Sequence, residues 1–204
     1  MESMLAAKGL TLAYGKKNIL EDVSFSLRAG QAAALLGENG SGKSTLLCTL
    51  AGILEPKSGE LTVRGRIVYL PQETALIEEL TLADNLKFFA SLAGCPVPDT
   101  LPFGADSLRK MRIQKMSGGM KKLCSIACTL LTEADIYLFD EPCAALDKAH
   151  REMFLDYTKA LAAAGKTVLY AAHGREEYMR FADTLLTIAD KKVHAQPVCE
   201  VAHA

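Results

Sequence analysis

The chain has 204 residues, 50% hydrophobic and 23% charged, with a formal net charge of −1. That balance suits a globular domain with a substantial core, and it offers no electrostatic case for nucleic acid or an anionic lipid surface as partner. No apolar run approaches the roughly 18 residues of a membrane span, and six scattered cysteines lack the density of a disulfide scaffold, so the chain is expected to fold in the cytoplasm.

The first 36 residues read as strands. Val23, Phe25 and Leu27 alternate with Ser24, Ser26 and Arg28, a half-buried antiparallel pattern stopped by Ala29-Gly30. Ala32 to Leu36 is a short apolar run, and it leads into Gly37-Glu38-Asn39-Gly40-Ser41-Gly42-Lys43-Ser44-Thr45. This stretch matches G-x-x-x-x-G-K-[ST], and Leu46, Leu47 and Leu50 follow it at helical spacing. Strand, glycine-rich loop, helix is the context in which backbone N–H groups wrap a phosphate chain at a helix N-terminus. Lys43 can then reach the β- and γ-phosphates, and the Ser44 hydroxyl can join the coordination of Mg²⁺. A nucleoside triphosphate is the expected ligand.

The helix should stop near Gly52, and Pro56-Lys57-Ser58-Gly59 reads as a turn. Leu61 to Val63 and Ile67 to Leu70 read as strands around Gly65. Leu82, Leu86, Phe89 and Leu92 fit one face of a helix, whereas Gly94 to Gly104, with three prolines, excludes regular helix. Ser117-Gly118-Gly119 precedes a buried helix over Leu123 to Leu131. Within it Cys124 and Cys128, four apart, read as small buried side chains rather than metal ligands. Ile136 to Phe139 is a fully apolar strand that ends in Asp140-Glu141. Two carboxylates at the carboxyl end of a buried strand can divide the work: one holds Mg²⁺, and the other orients and polarises an attacking water. His150 to Ala163 reads as helix, Thr167 to Ala171 as a buried strand with His173 just beyond, and Thr184 to Ile188 with Lys192 to His194 as a hairpin through Asp190-Lys191. Strands alternating with helices around a phosphate loop argue for an α/β core with a mostly parallel sheet.

In this order the motifs resemble those of the nucleotide-binding subunits of ABC (ATP-binding cassette) proteins, from Tyr14 to His173. Ser117-Gly118-Gly119-Met120 resembles the family's Ser-Gly-Gly-Gln signature. Gln72, after Val68-Tyr69-Leu70-Pro71, resembles the Q-loop glutamine, Ala145-Leu146-Asp147 the loop after the catalytic glutamate, and His173 the switch histidine. The resemblance implies one nucleotide-binding domain over 1–204: a P-loop NTPase core, an N-terminal antiparallel β subdomain and a small inserted helical subdomain over about 73–131. It implies that Tyr14 stacks on adenine and that the loop from Gly37 to Thr45 (Gly37, Asn39, Gly40, Ser41, Gly42, Lys43, Ser44, Thr45) holds the phosphates. Ser44, Gln72 and Asp140 would attend Mg²⁺, Glu141 would be the general base, and His173 would contact γ-phosphate and water. Ser117, Gly118 and Gly119 would face the ATP of a second subunit, so two chains would sandwich two ATP molecules head to tail. An integral membrane subunit would be the other partner, placing the chain on the inner face of the cell membrane, with no nucleic acid involved. Leu82-Ala83-Asp84-Asn85-Leu86 and Leu92-Ala93-Gly94 resemble subunits of export-type systems; a soluble ATPase that drives assembly or remodelling is the alternative. Met120 in place of glutamine, and Ala144 where serine is common, depart from the family pattern.

Overall fold

The computed structural model describes residues 2–172 and 174–198. In chain order the elements are β1 (Ser3–Tyr14), β2 (Lys17–Arg28), β3 (Ala32–Leu36), α1 (Lys43–Leu50), β4 (Ser58–Val63), β5 (Ile67–Leu70), α2 (Leu82–Ala93), α3 (Gly118–Thr129), β6 (Ile136–Asp140), α4 (Lys148–Ala163), β7 (Thr167–Ala171), α5 (Arg175–Tyr178), β8 (Thr184–Ala189) and β9 (Lys192–Pro197). Short 3-10 helices at Pro102–Leu108 and Ile113–Lys115 join α2 to α3.

The alternating N-terminal segments form a three-stranded antiparallel sheet, order β2-β1-β4. Val23, Phe25 and Leu27 are buried while Ser24, Ser26 and Arg28 face solvent, as a period of two requires. β4 begins within the segment expected to be a turn. Gly59, at φ +97°, makes this possible, because a Cβ there would strike the Gly9 carbonyl of β1.

The continuous apolar runs form a six-stranded sheet, order β5-β6-β7-β3-β8-β9, parallel except for the closing β8-β9 hairpin. Ala32 and Ala34 share one face with Tyr137, Phe139, Val168 and Tyr170; Ala33 and Leu35 share the other with Ile136, Leu138, Leu169 and Ala171. The first face is covered by α3 and α4 through Leu123, Ile126, Phe154 and Leu155. The second is covered by α1 and the antiparallel sheet, through Leu46, Leu47, Leu50, Leu10 and Phe25. A strand buried on both faces has no polar side to show, so no alternation appears in the sequence.

A separate cluster holds α2, the 3-10 segments and the outer side of α3 together, with Leu82, Leu86, Leu108, Ile113, Cys124 and Cys128. Cys124 and Cys128 are thus core side chains, and burial raises both thiols to about 12. The α2 stripe departs from expectation: Leu92 is 71% exposed, because the helix runs past the cluster before Gly94 caps it in the left-handed region. Asn85 fills the buried face instead, accepting from the Ile77 N–H at 2.8 Å and donating to the Ile77 and Thr81 carbonyls at 3.1 and 3.0 Å. Two helices also start earlier than their apolar residues suggest. Ser117 caps α3 by accepting from the Met120 N–H at 3.3 Å, and Asp147 caps α4 by accepting from the His150 N–H at 2.9 Å.

Candidate nucleotide site

Strand order places β6 and β3 on either side of β7, so the residues leaving their carboxyl ends meet in one crevice. From β3 the backbone enters the loop 37–42. The loop needs its glycines for different reasons. A Cβ on Gly37 would lie 2.5 Å from Ser41 Oγ, and one on Gly42 would lie 2.9 Å from Ile19 Cγ2 of β2. Gly40 and Gly42 have φ of 77° and 107°, values that L side chains rarely adopt. α1 starts at Lys43 with no side-chain cap, so its first N–H groups face the crevice without a side-chain acceptor. The Ser41 hydroxyl is buried with no partner among the described residues.

Lys43 is 6% exposed and engaged inside the loop. Its Nζ donates to the Gly37 and Glu38 carbonyls at 2.9 and 3.3 Å and lies 3.6 Å from Glu141 Oε1. Glu141, 7% exposed and at φ 48°, follows β6 with its side chain turned to the loop. Its Oε2 accepts from Gln72 Nε2 at 2.9 Å. The lysine and the glutamine thus hold both oxygens of one carboxylate.

Asp140 ends β6 and is buried. Its Oδ2 accepts from the Tyr69 hydroxyl at 3.3 Å, while Oδ1 has no hydrogen-bond partner among the described residues. Burial pushes this carboxyl above the usual range, with Glu141 adding to the rise; the Ser44 and Tyr69 hydroxyls and Lys122 oppose it. A buried carboxylate with an orphan oxygen next to Ser44 is a good fit for a divalent cation. Tyr14 is 57% exposed at the end of β1, its ring free to stack. Together Tyr14, Ile19, Lys43, Ser44, Gln72 and Glu141 line a cleft of about 610 Å³, which also includes Asn39, Gly40, Gly42 and Thr45.

Ser117 and Gly119 lie elsewhere, with Gly118 beside them. With Met120, the first two line a second concavity of about 380 Å³ against Ala145, Leu146, Asp147 and His150. The two clefts share no residue, so one chain does not bring Ser117 to its own Lys43. His173 lies outside the described residues.

Two neighbours of this cleft are invisible to motif reading. Lys122 of α3 is buried, and its Nζ donates to the Pro71 and Gln72 carbonyls at 3.0 Å each. Burial pulls this ammonium down to about 8 against the attraction of Asp140, Cys143 and Glu141. Tyr69 touches both Asp140 and Cys48 Sγ, the latter at 3.4 Å, and burial raises its phenol. The only sequence signal for either is a polar-tipped residue inside an otherwise buried segment.

The sequence profile of the ABC transporter family matches residues 20–144. The linearmycin resistance ATP-binding protein LnrL of Bacillus subtilis is 34% identical over 194 residues, which cover 85% of this chain and 62% of that protein. A Nod factor export ATP-binding protein I of Ralstonia nicotianae is 32% identical, covering 95% of this chain and 66% of the relative. The chain therefore spans just under two thirds of the length of these two relatives. Among solved structures, an ATP binding subunit of an ABC transporter superposes with a TM-score of 0.87 at 27% identity, covering 98% of this chain and 92% of that one. On the profile, the relatives and the fold, the chain belongs to the ABC transporter family, as one of its nucleotide-binding domains.

Proposed function

We propose that this chain binds ATP in the Lys43 cleft, hydrolyses it with Glu141 as general base, and powers a transporter through a separate membrane-spanning partner. One observation carries the reading: Lys43, Ser44, Gln72 and Glu141 line one cleft, with Asp140 behind it at the end of the same strand as Glu141. Adenine would stack on Tyr14, and the triphosphate would lie along the loop from Gly37 to Thr45 against the α1 N-terminus. Ser44, Asp140 and Gln72 would hold Mg²⁺, which would supply positive charge against the phosphate oxygens. Lys43 exchanges the Gly37 and Glu38 carbonyls for phosphate oxygens and releases Glu141. Glu141, still oriented by Gln72, then takes a proton from the attacking water. His173, in the switch position, is assigned the γ-phosphate and that water.

Ser117, Gly118 and Gly119 are assigned to the ATP of a second cassette, since their concavity lies apart from the cleft of their own chain. The domain is read as 1–204, with residues 73–131 as its helical subdomain. An apolar groove of about 520 Å³, lined by Ile53, Tyr69, Leu76 and Phe89 among others, suits docking of the membrane subunit. Among the described residues no helix is long and apolar enough to cross a membrane, and the spanning role is assigned to the separate partner. The outward direction of transport is favoured by the relatives named for resistance and export.

ATP turnover by purified protein, with Mg²⁺, tests the core of this reading. Glu141→Gln should bind ATP and lose turnover. Undiminished turnover in that variant would remove Glu141 as the base. Recovery from native cells wholly in the soluble fraction, with no membrane protein cross-linked, would favour the remodelling alternative.

A further inference from the structure

We propose that Lys122 is a positioning residue for hydrolysis: its ammonium fixes the Gln72 turn against α3, so that the Gln72 side chain meets Glu141. The inference rests on the ATPase reading above and adds to it a residue that touches neither phosphate loop nor substrate.

The connection can be followed bond by bond. Lys122 lies in the second turn of α3, five residues after the Ser117 cap. It is 3% exposed, and its side chain leaves the helical segment to reach the turn that follows β5. There Nζ donates to two consecutive carbonyls, Pro71 O and Gln72 O, both at 3.0 Å. The Gln72 side chain then donates to Glu141 Oε2 at 2.9 Å, and Glu141 Oε1 lies 3.6 Å from Lys43 Nζ. A glutamine amide set on a turn can swing. A turn held at two successive carbonyls by one buried cation has its direction fixed.

A charge at this position needs a reason. Burying an ammonium is costly, and an apolar side chain of similar length would fill the same space without that cost. The nearby carboxylates Asp140 and Glu141 offset part of it. Two carbonyls of an irregular turn need donors that a methionine cannot supply. The bonds therefore fall where the chain has no regular backbone pairing and where the orientation of Gln72 decides how Glu141 is held.

The placement also joins two sites. Ser117 and Lys122 are on one rigid helix, so whatever displaces the Ser117 loop also displaces the anchor of Gln72. Lys122 thereby ties the concavity formed by Ser117 and Gly119 to the carboxylate in the chain's own cleft.

Steady-state ATP hydrolysis with Mg²⁺ by the whole chain tests this, on wild type, Lys122→Met, Lys122→Arg, Gln72→Ala and the Lys122→Met/Gln72→Ala double variant. Misplacing a positioning group by about 1 Å can cost on the order of a hundredfold, so kcat of Lys122→Met should fall about ten- to a hundredfold. KM for Mg-ATP should stay within about twofold, because the loop from Gly37 to Thr45 with Ser44 and Asp140 still holds the phosphates and the metal. Lys122→Arg should recover most of kcat. The double variant should be no slower than Gln72→Ala, since both changes act through the same bond. Unchanged kcat in Lys122→Met overturns the proposal. So does a joint change of kcat and KM that arginine does not rescue, or a double variant whose losses multiply; either would mark Lys122 as a structural residue. If Lys122→Met does not fold, Lys122→Gln decides: its uncharged amide stops one atom short of the Nζ position, so kcat should again fall with KM little changed, and unchanged kcat overturns the proposal. A wild type without turnover would instead overturn the ATPase reading, and this inference with it.

Discussion

Replacing Lys43 by methionine keeps most of the side chain's length, one atom short, and removes its charge and donors, so little of the effect is a cavity. The lysine is 6% exposed and makes three contacts before any phosphate arrives: Gly37 O at 2.9 Å, Glu38 O at 3.3 Å and Glu141 Oε1 at 3.6 Å. Breaking a buried pair from one side costs about 3–5 kcal/mol. Glu141 keeps its bond from Gln72, which puts the expected cost at the low end, about 3 kcal/mol. For a domain of this size that lowers Tm by about 6–12 °C in the absence of nucleotide. Mg-ATP at a hundred times its Kd should stabilise wild type by about 2.7 kcal/mol, raising Tm by about 5–11 °C. The variant should show no such rise. Differential scanning calorimetry with and without Mg-ATP measures both. A variant melting within about 2 °C of wild type without nucleotide would refute the view that Lys43 holds the loop and Glu141 together. A full ATP-induced rise in the variant would refute its role in phosphate binding.

Gly119→Ala should destabilise and Gly118→Ala should not. A Cβ on Gly119 lies 2.8 Å from the Ala145 carbonyl, whereas one on Gly118 meets only Ala145 Cβ at 3.7 Å. Overpacking against backbone costs about 1–3 kcal/mol, and equal melting temperatures for the two variants would contradict the close approach. Met120→Gln in the Glu141→Gln background should tighten the ATP-dependent dimer by about two- to thirteenfold, the worth of one hydrogen bond of 0.5–1.5 kcal/mol. An unchanged dissociation constant by analytical ultracentrifugation would make Met120 a neutral variation, held by its packing on the helical cluster. Alkaline conditions should unfold the chain more readily. Burial raises Cys124 and Cys128 to about 12 and Cys143 to about 11, so above pH 9 the folded chain holds protons that the unfolded chain has lost, and stability falls as pH rises. Lys122, lowered to about 8, works in the opposite sense between pH 8 and 10.5, but three thiols outweigh it. Urea midpoints between pH 9 and 11 should fall less steeply in Cys124→Ala, and an unchanged slope would contradict the burial argument.

The parts of this protein that read directly from sequence are those governed by local rules. Alternation gave β2 because one face of that strand is solvated, and the apolar runs gave β3, β6 and β7 because both faces are covered. The loop 37–45 was legible because its glycines answer to backbone geometry, and Asp140-Glu141 because a strand end fixes where carboxylates point. The early starts of α3 and α4 were harder to see, since Ser117 and Asp147 act by single caps that carry no periodicity.

What depended on the tertiary structure is which distant residues meet. Nothing local says that Asn85 is buried and Leu92 exposed, since both sit on one short helix and only the neighbouring cluster decides which position it covers. Nothing in the order of motifs says that Lys43 rests on Glu141, that Tyr69 reaches Asp140, or that Lys122 crosses from α3 to the Gln72 turn. The sequence alone determined the chemistry available, because phosphate loop and carboxylates are recognised by type and spacing and Gln72 by its resemblance to the family's motif. Tertiary structure decided how that chemistry is held, because a hydrogen bond between residues 50 or 69 positions apart depends on strand order and helix packing, which no short window of sequence contains.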